Sequence, residues 1–164
     1  MKAYLANGLF SEADQLYNKL LAKEIRLALP GIDLYVPQEN AALNDKSGYA
    51  DSVSIFNGDN EYLDKADILI AVLDGVEIDS GVAAEVGRFI TLKEFNPTSK
   101  YIIGLYTDVR QQGRDNQKKI NALIQDGTEN QFMYRNLYVI GGIKNHGKIV
   151  SSIDELCNEL KDLN

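Results

Sequence analysis

"ADILIAVLDGVEIDSGVAAEVGRF", residues 66–89, joins an apolar run, an acidic loop with a glycine, and a segment of helical spacing. Residues 66–73 read as a strand buried on both faces, because they contain no solvent-facing alternation. From Ser80 onward the period changes: Val82, Val86 and Phe89 share one helical face, and Glu85 falls with Gly81 and Arg88 on the next. A carboxylate one turn inside a helix, flanked by Gly81, Ala84 and Gly87, leaves room for something to approach it. Two readings stand side by side. An exposed Glu85–Arg88 pair at i, i+3 would contribute only about 0.2–0.5 kcal/mol and needs no small neighbours. A carboxylate nucleophile near a helix N-terminus would use the space those neighbours leave.

The same strand-then-helix unit recurs along the chain. Apolar runs at 2–6 (KAYLA), 32–37 (IDLYVP), 101–106 (YIIGLY) and 137–142 (LYVIGG) give, with 66–73, five expected strands. Between them, 11–29, 80–94 and 115–125 scan as helices, the first capped by Ser11. This alternation predicts an α/β fold with a parallel sheet covered on both faces, in a single domain over residues 1–164. The polar stretches 38–60 and 107–118 are expected to be long loops off the sheet. Ligands of such sheets bind at the carboxyl ends of the strands, so the site is sought after Ala6, Pro37, Leu73 and Tyr106.

Composition narrows the ligand. A formal charge of −7 disfavours a nucleic-acid backbone as partner, because binding one relies on clustered Lys and Arg. No G-x-G-x-x-G or G-x-x-x-x-G-K-[ST] pattern supports a dinucleotide or triphosphate cradle. The single cysteine, Cys157, sits on an amphipathic stretch with Ile153, Leu156, Leu160 and Leu163, and reads as an inert, partly buried thiol. Residues 1–15 lack the apolar stretch of a signal peptide or membrane span, so a cytoplasmic protein with no membrane partner is expected.

Asp59, Asp74, Asp79 and Glu85 could together present oxygen ligands to a hard cation, but helix capping is the commoner use of such acids, and no metal is expected. The only histidine, His146, lies in a turn-like stretch and is expected to be solvent-exposed. Asp79 is either a helix cap or, if Ser80 takes that duty, free to face a ligand. A second carboxylate opposite Glu85 is what glycosyl transfer requires: one group attacks the anomeric carbon while another assists the leaving group.

Five ordered segments, YLANGLF (4–10), YVPQEN (35–40), FNGDNEYLDKADILIAVLDG (56–75), DSGVAAEVG (79–87) and ENQFMYRNLYV (129–139), resemble the nucleoside 2-deoxyribosyltransferases. The most specific part is D-x-G-x-x-x-E-x-G, met by Asp79, Gly81, Glu85 and Gly87. The resemblance implies a flavodoxin-like five-stranded parallel sheet and a cofactor-free enzyme acting on 2-deoxyribonucleosides and free purine or pyrimidine bases. It further implies that Glu85 is the nucleophile, that Tyr4 orients it and that Asp79 assists. Substrate contacts are implied for Asp59, Gly8, Phe10 and Gly81. Asn130 matches an asparagine that completes a neighbouring subunit's sugar site, which implies a homo-oligomer with shared active sites. Where some members carry a base-contacting glutamine after the second strand, this chain has Glu39, Asn40 and Ala41. An N-glycosidase and a non-catalytic nucleoside-binding module are the competing readings.

Overall fold

The computed structural model describes residues 1–44, 50–96, 101–111, 116–129 and 134–163. Strands β1 (Lys2–Ala6), β2 (Asp33–Tyr35), β3 (Ile68–Val72), β4 (Tyr101–Leu105) and β5 (Gly147–Val150) form an all-parallel sheet in the order β2-β1-β3-β4-β5. That order is the flavodoxin-like one, with β1 and β3 adjacent and the chain turning outward in opposite directions from them. The carboxyl ends of β1 and β3 are therefore where a crevice opens.

Helices cover both faces. Alternate residues of each strand point to opposite layers, so Leu5, Ile70 and Ile103 pack with Leu21 and Ile25 of α1 (Glu12–Ala28) and Leu156 and Leu160 of α7 (Ile153–Asp162). On the other face Tyr4, Leu69, Ala71 and Ile102 pack beneath α3 (Ser52–Lys65), α4 (Ser80–Phe95) and α6 (Leu137–His146). Each fully buried Leu, Ile or Phe contributes about 1.5–3 kcal/mol of transfer free energy. Ser11 begins α1 with a reciprocal cap: its hydroxyl accepts from the Asp14 amide at 3.0 Å, and Asp14 accepts from the Ser11 amide at 3.2 Å. Cys157 is partly buried, its thiol 3.8 Å from the Glu24 carbonyl. Among the described residues, no helix is long and apolar enough to cross a membrane.

Three local expectations are corrected. The run LYVIGG is helical, not the fifth strand: the Asn136 side chain caps α6 by accepting from the Tyr138 and Val139 amides, both at 3.1 Å. A short apolar run carries no reliable period, and the helical reading emerges only when Val139, Ile140 and Ile143 are seen to share a buried face. The true fifth strand, GKIV, is too short and too polar to announce itself, and pairs from Gly147 opposite Ile102. Second, the stretch 38–60 is not one loop. It holds the one-turn α2 (Ala41–Asn44) and most of the 14-residue α3, capped by Asp51 on the Ser54 amide at 2.7 Å. Leu63 is the one fully buried residue of α3, so no apolar stripe marks the helix in the sequence. Third, His146 ends α6 rather than sitting in an exposed turn; its side chain is 13% exposed, with Nδ1 2.9 Å from the Gly142 carbonyl oxygen.

Candidate active site

Helix α4 brings the acidic residues together. Asp79 is its N-cap: Oδ1 accepts from the amides of Gly81 at 2.8 Å and Val82 at 3.1 Å. One face of α4 buries Val82, Val86 and Phe89, which are 0–1% exposed and seat the helix on the sheet. Glu85 lies on the flank of that contact. Its Oε1 accepts a 2.6 Å hydrogen bond from the Tyr4 phenol, which rises from the middle of β1 rather than from its carboxyl end. The alternative partner is occupied elsewhere: Arg88 makes a two-pronged ion pair with Asp64 of α3, both contacts at 2.7 Å. Hence the Glu85–Arg88 pair is not formed.

The Glu85 carboxyl is pushed up to about 7, first by burial and then by the charges of Asp59 and Asp79, while the Tyr4 hydrogen bond pulls it back down. Burial beside Glu85 raises the Tyr4 phenol far above its ordinary value, so it remains a donor. Glu85 also faces a cavity of about 280 Å³, lined with Phe56, Asp59, Asn60, Gly81, Ala84 and Arg88. Gly81 and Ala84 line the wall beside the carboxylate, whereas Gly87, the third small neighbour in the sequence, lines a separate hollow between α4 and α6.

Asp59, on α3, belongs to this cavity and also to a smaller hollow of about 60 Å³ formed with Leu9, Phe10, Pro37, Leu43, Asn44 and Ile55. Burial raises its carboxyl, and the Tyr35 hydroxyl, 2.9 Å from Oδ1, counters that shift. Phe10 is 82% exposed at the rim of the smaller hollow. Gly8 holds the preceding turn through its carbonyl, which accepts from Asn18 at 3.0 Å. Asn18 is 3% exposed and also bonds Asn7 and Gln38, tying the loop after β1 to α1.

Tyr4, Asp59, Gly81 and Glu85 thus converge, with Asp79 at the head of the same helix and Gly8 and Phe10 on the neighbouring loop. Asn130 lies outside the described residues. Asp74 turns away: its two oxygens accept from the Thr107 amide and hydroxyl, each at 2.7 Å. Among the described residues no group of three or more His, Cys, Asp or Glu side chains is placed to hold a metal ion. A larger hollow of about 700 Å³ opens on the opposite flank of α4, against α6, but none of these four convergent residues lines it.

Tyr35, Asn40, Phe56, Asn60 and Arg88 were not singled out as site residues by sequence reasoning. Tyr35 and Asn40 both fall in the YVPQEN segment, which is the signal the sequence offered for them; that Tyr35 sits beside Tyr4 is visible only in the register that sets the two opposite each other.

A half-buried carboxylate with a phenol donor, facing a cavity beside a flavodoxin-like sheet, defines the class: an α/β protein with an acid-lined pocket on its helix layer. The nucleoside 2-deoxyribosyltransferase family model matches residues 3–123, which include Tyr4, Asp59, Asp79 and Glu85, and the chain belongs to that family. It is 34% identical over 120 residues to an uncharacterized protein of Ureaplasma parvum serovar 3, covering 67% of this chain and 72% of that one. The crystal structure of a conserved protein from Enterococcus faecalis V583 shares 46% identity and a TM-score of 0.85, over 100% of this chain and 99% of that one. The 2-deoxyribosyltransferase of Bacillus psychrosaccharolyticus has the same fold at 19% identity, with a TM-score of 0.64 over 96% and 91% of the two chains.

Proposed function

We propose that the protein transfers 2-deoxyribose between nucleobases by a retaining double displacement through a deoxyribosyl ester of Glu85. The observation that carries this reading is the Glu85 carboxylate, bonded to buried Tyr4 on one oxygen and facing a cavity that also holds a second carboxyl, Asp59. Glu85 attacks C1′ from the face opposite the base. Asp59, which lines the cavity, takes the assisting role expected of Asp79, whose Oδ1 is engaged in capping α4. It gives its proton to the departing base, and an incoming base attacks the ester from the vacated face, so two inversions restore the β configuration. Tyr4 aims the nucleophile and keeps part of it ionised near neutrality. Asp79 tunes Glu85 through its charge while capping α4. The reaction breaks a C–N bond and forms a C–O bond without electron transfer, so it needs no cofactor.

The family resemblance at Asn130 extends the proposal to a homo-oligomer in which each subunit completes its neighbour's sugar site. The test is incubation with deoxyinosine or thymidine and a panel of free bases, followed by chromatography. New deoxynucleosides support transfer; free 2-deoxyribose alone identifies a hydrolase; intact donor with every base overturns the reading.

A further inference from the structure

We infer that Tyr35, anchored by Asn40, is a positioning residue that directs the proton of Asp59 onto the oxygen facing the leaving base. The inference rests on the deoxyribosyl-transfer reading above and adds to it a specific proton path. Asn40 Nδ2 donates to the Tyr35 hydroxyl at 3.0 Å, and the Tyr35 hydroxyl lies 2.9 Å from Asp59 Oδ1. With its oxygen accepting from Asn40, the tyrosine has one remaining use for its proton, which is donation to Oδ1. A proton carried by Asp59 must then reside on Oδ2.

The phenol cannot easily swing out of this arrangement. Its ring stacks on Tyr62 at 3.8 Å between centroids and 8° between planes, and meets Tyr4 at 5.2 Å in a tilted contact. Tyr35 therefore links the acid to the residue that holds the nucleophile. Burial lifts the Asp59 carboxyl, which favours the protonated form before reaction. When the C1′–N bond breaks, its electron pair stays with the base, the Oδ2 proton moves to the base, and a Glu85 oxygen bonds to C1′. Asp59 becomes a carboxylate whose Oδ1 already accepts from Tyr35, a charge-assisted bond stronger than the neutral one. In the second half-reaction the same carboxylate takes a proton from the incoming base.

The test compares two donors: a deoxyribonucleoside, whose base needs a proton to leave, and a nitrophenyl 2-deoxyriboside, whose leaving group departs as an anion. In Tyr35→Phe the ring and its stacking remain but the hydroxyl is gone. The rate ratio of nitrophenyl to nucleoside donor should rise about ten-fold or more over wild type, since general acid assistance is worth about 10²–10⁴ in rate. Asn40→Asp tests the same relay with Tyr35 in place, because the new carboxylate draws the phenol proton away from Asp59, and the ratio should rise again. A merely structural role would slow both donors together. A ratio within about two-fold of wild type in both folded variants overturns the inference. A wild-type protein inert towards both donors overturns the transfer reading itself, and the inference with it.

Discussion

The phenol of Tyr4 and the carboxylate of Glu85, 81 positions apart in sequence, meet in a 2.6 Å hydrogen bond between the central layer and the helix layer. Tyr4 is 0% exposed, so its hydroxyl is shielded from water and donates to a group delivered by α4. Two opposing forces act on the acid at that contact. Burial and neighbouring acids favour protonated Glu85, whereas the phenol favours the anion.

Because attack needs the anion, kcat/KM for a nitrophenyl 2-deoxyriboside, which takes no proton from Asp59, should rise with pH through about 7. In Tyr4→Phe the stabilising donor is lost and the limb should move to higher pH, with an activity loss of about ten-fold near pH 6.5 that narrows in alkaline buffer. A pH–rate profile of both proteins checks this; an unmoved limb would show that Glu85 does not set it.

Glu85→Gln should lose several orders of magnitude in transfer, or more than about 4 kcal/mol of transition-state stabilisation. Acid-quenched wild type given donor alone should show a deoxyribosyl adduct on the peptide holding Glu85, and the variant none.

Stability supplies an independent check on the same group. A carboxyl raised from 4.5 to about 7 in the folded state contributes up to about 3 kcal/mol, fully present below pH 4.5 and lost as pH rises through about 7. Urea unfolding between pH 4.5 and 8.5 should therefore show wild type losing more stability than Glu85→Gln, whose amide does not titrate. Parallel curves would contradict the raised value.

Gly147→Ala should destabilise the protein by about 3 kcal/mol or more. A Cβ there would lie 1.9 Å from the Ile102 carbonyl oxygen, and the backbone of β4 cannot yield as a side chain could. Thermal melting measures the cost. A near-wild-type melting temperature would refute the close approach of β5.

Oligomer sharing can be tested by complementation. Inactive Glu85→Ala and Asn130→Ala subunits, mixed under exchange, should recover part of the activity, since a hybrid pair contains one intact composite site. The exposed Leu137 and Tyr138, at 72% and 93%, lie close in sequence to that asparagine and suit a surface that meets another subunit. No recovery despite demonstrated exchange would reject the shared site.

Patterns local in the chain were legible without coordinates. The buried run at 66–73, the Ser11 cap, the Val82–Val86–Phe89 face and the spacing of Asp79 and Glu85 each depend on neighbours within two helical turns. Backbone period and capping chemistry determine such features almost regardless of the remainder of the molecule. What stayed hidden was either weakly periodic or distant. LYVIGG could have paired as a strand until packing against α4, where a Cβ on Gly142 would lie 2.6 Å from Ile90, made it a helix. Whether Glu85 would take Arg88 or Tyr4 could not be read from spacing, because Arg88 had a better partner in Asp64 on another helix. The relay from Asn40 through Tyr35 to Asp59 likewise needs the register of β1 on β2 and the seat of α3. The chain alone determined which acids were available and the sheet that would hold them. Only tertiary packing decided their partners, because burial and hydrogen-bond donors delivered from other elements set the charge and direction of each carboxyl group.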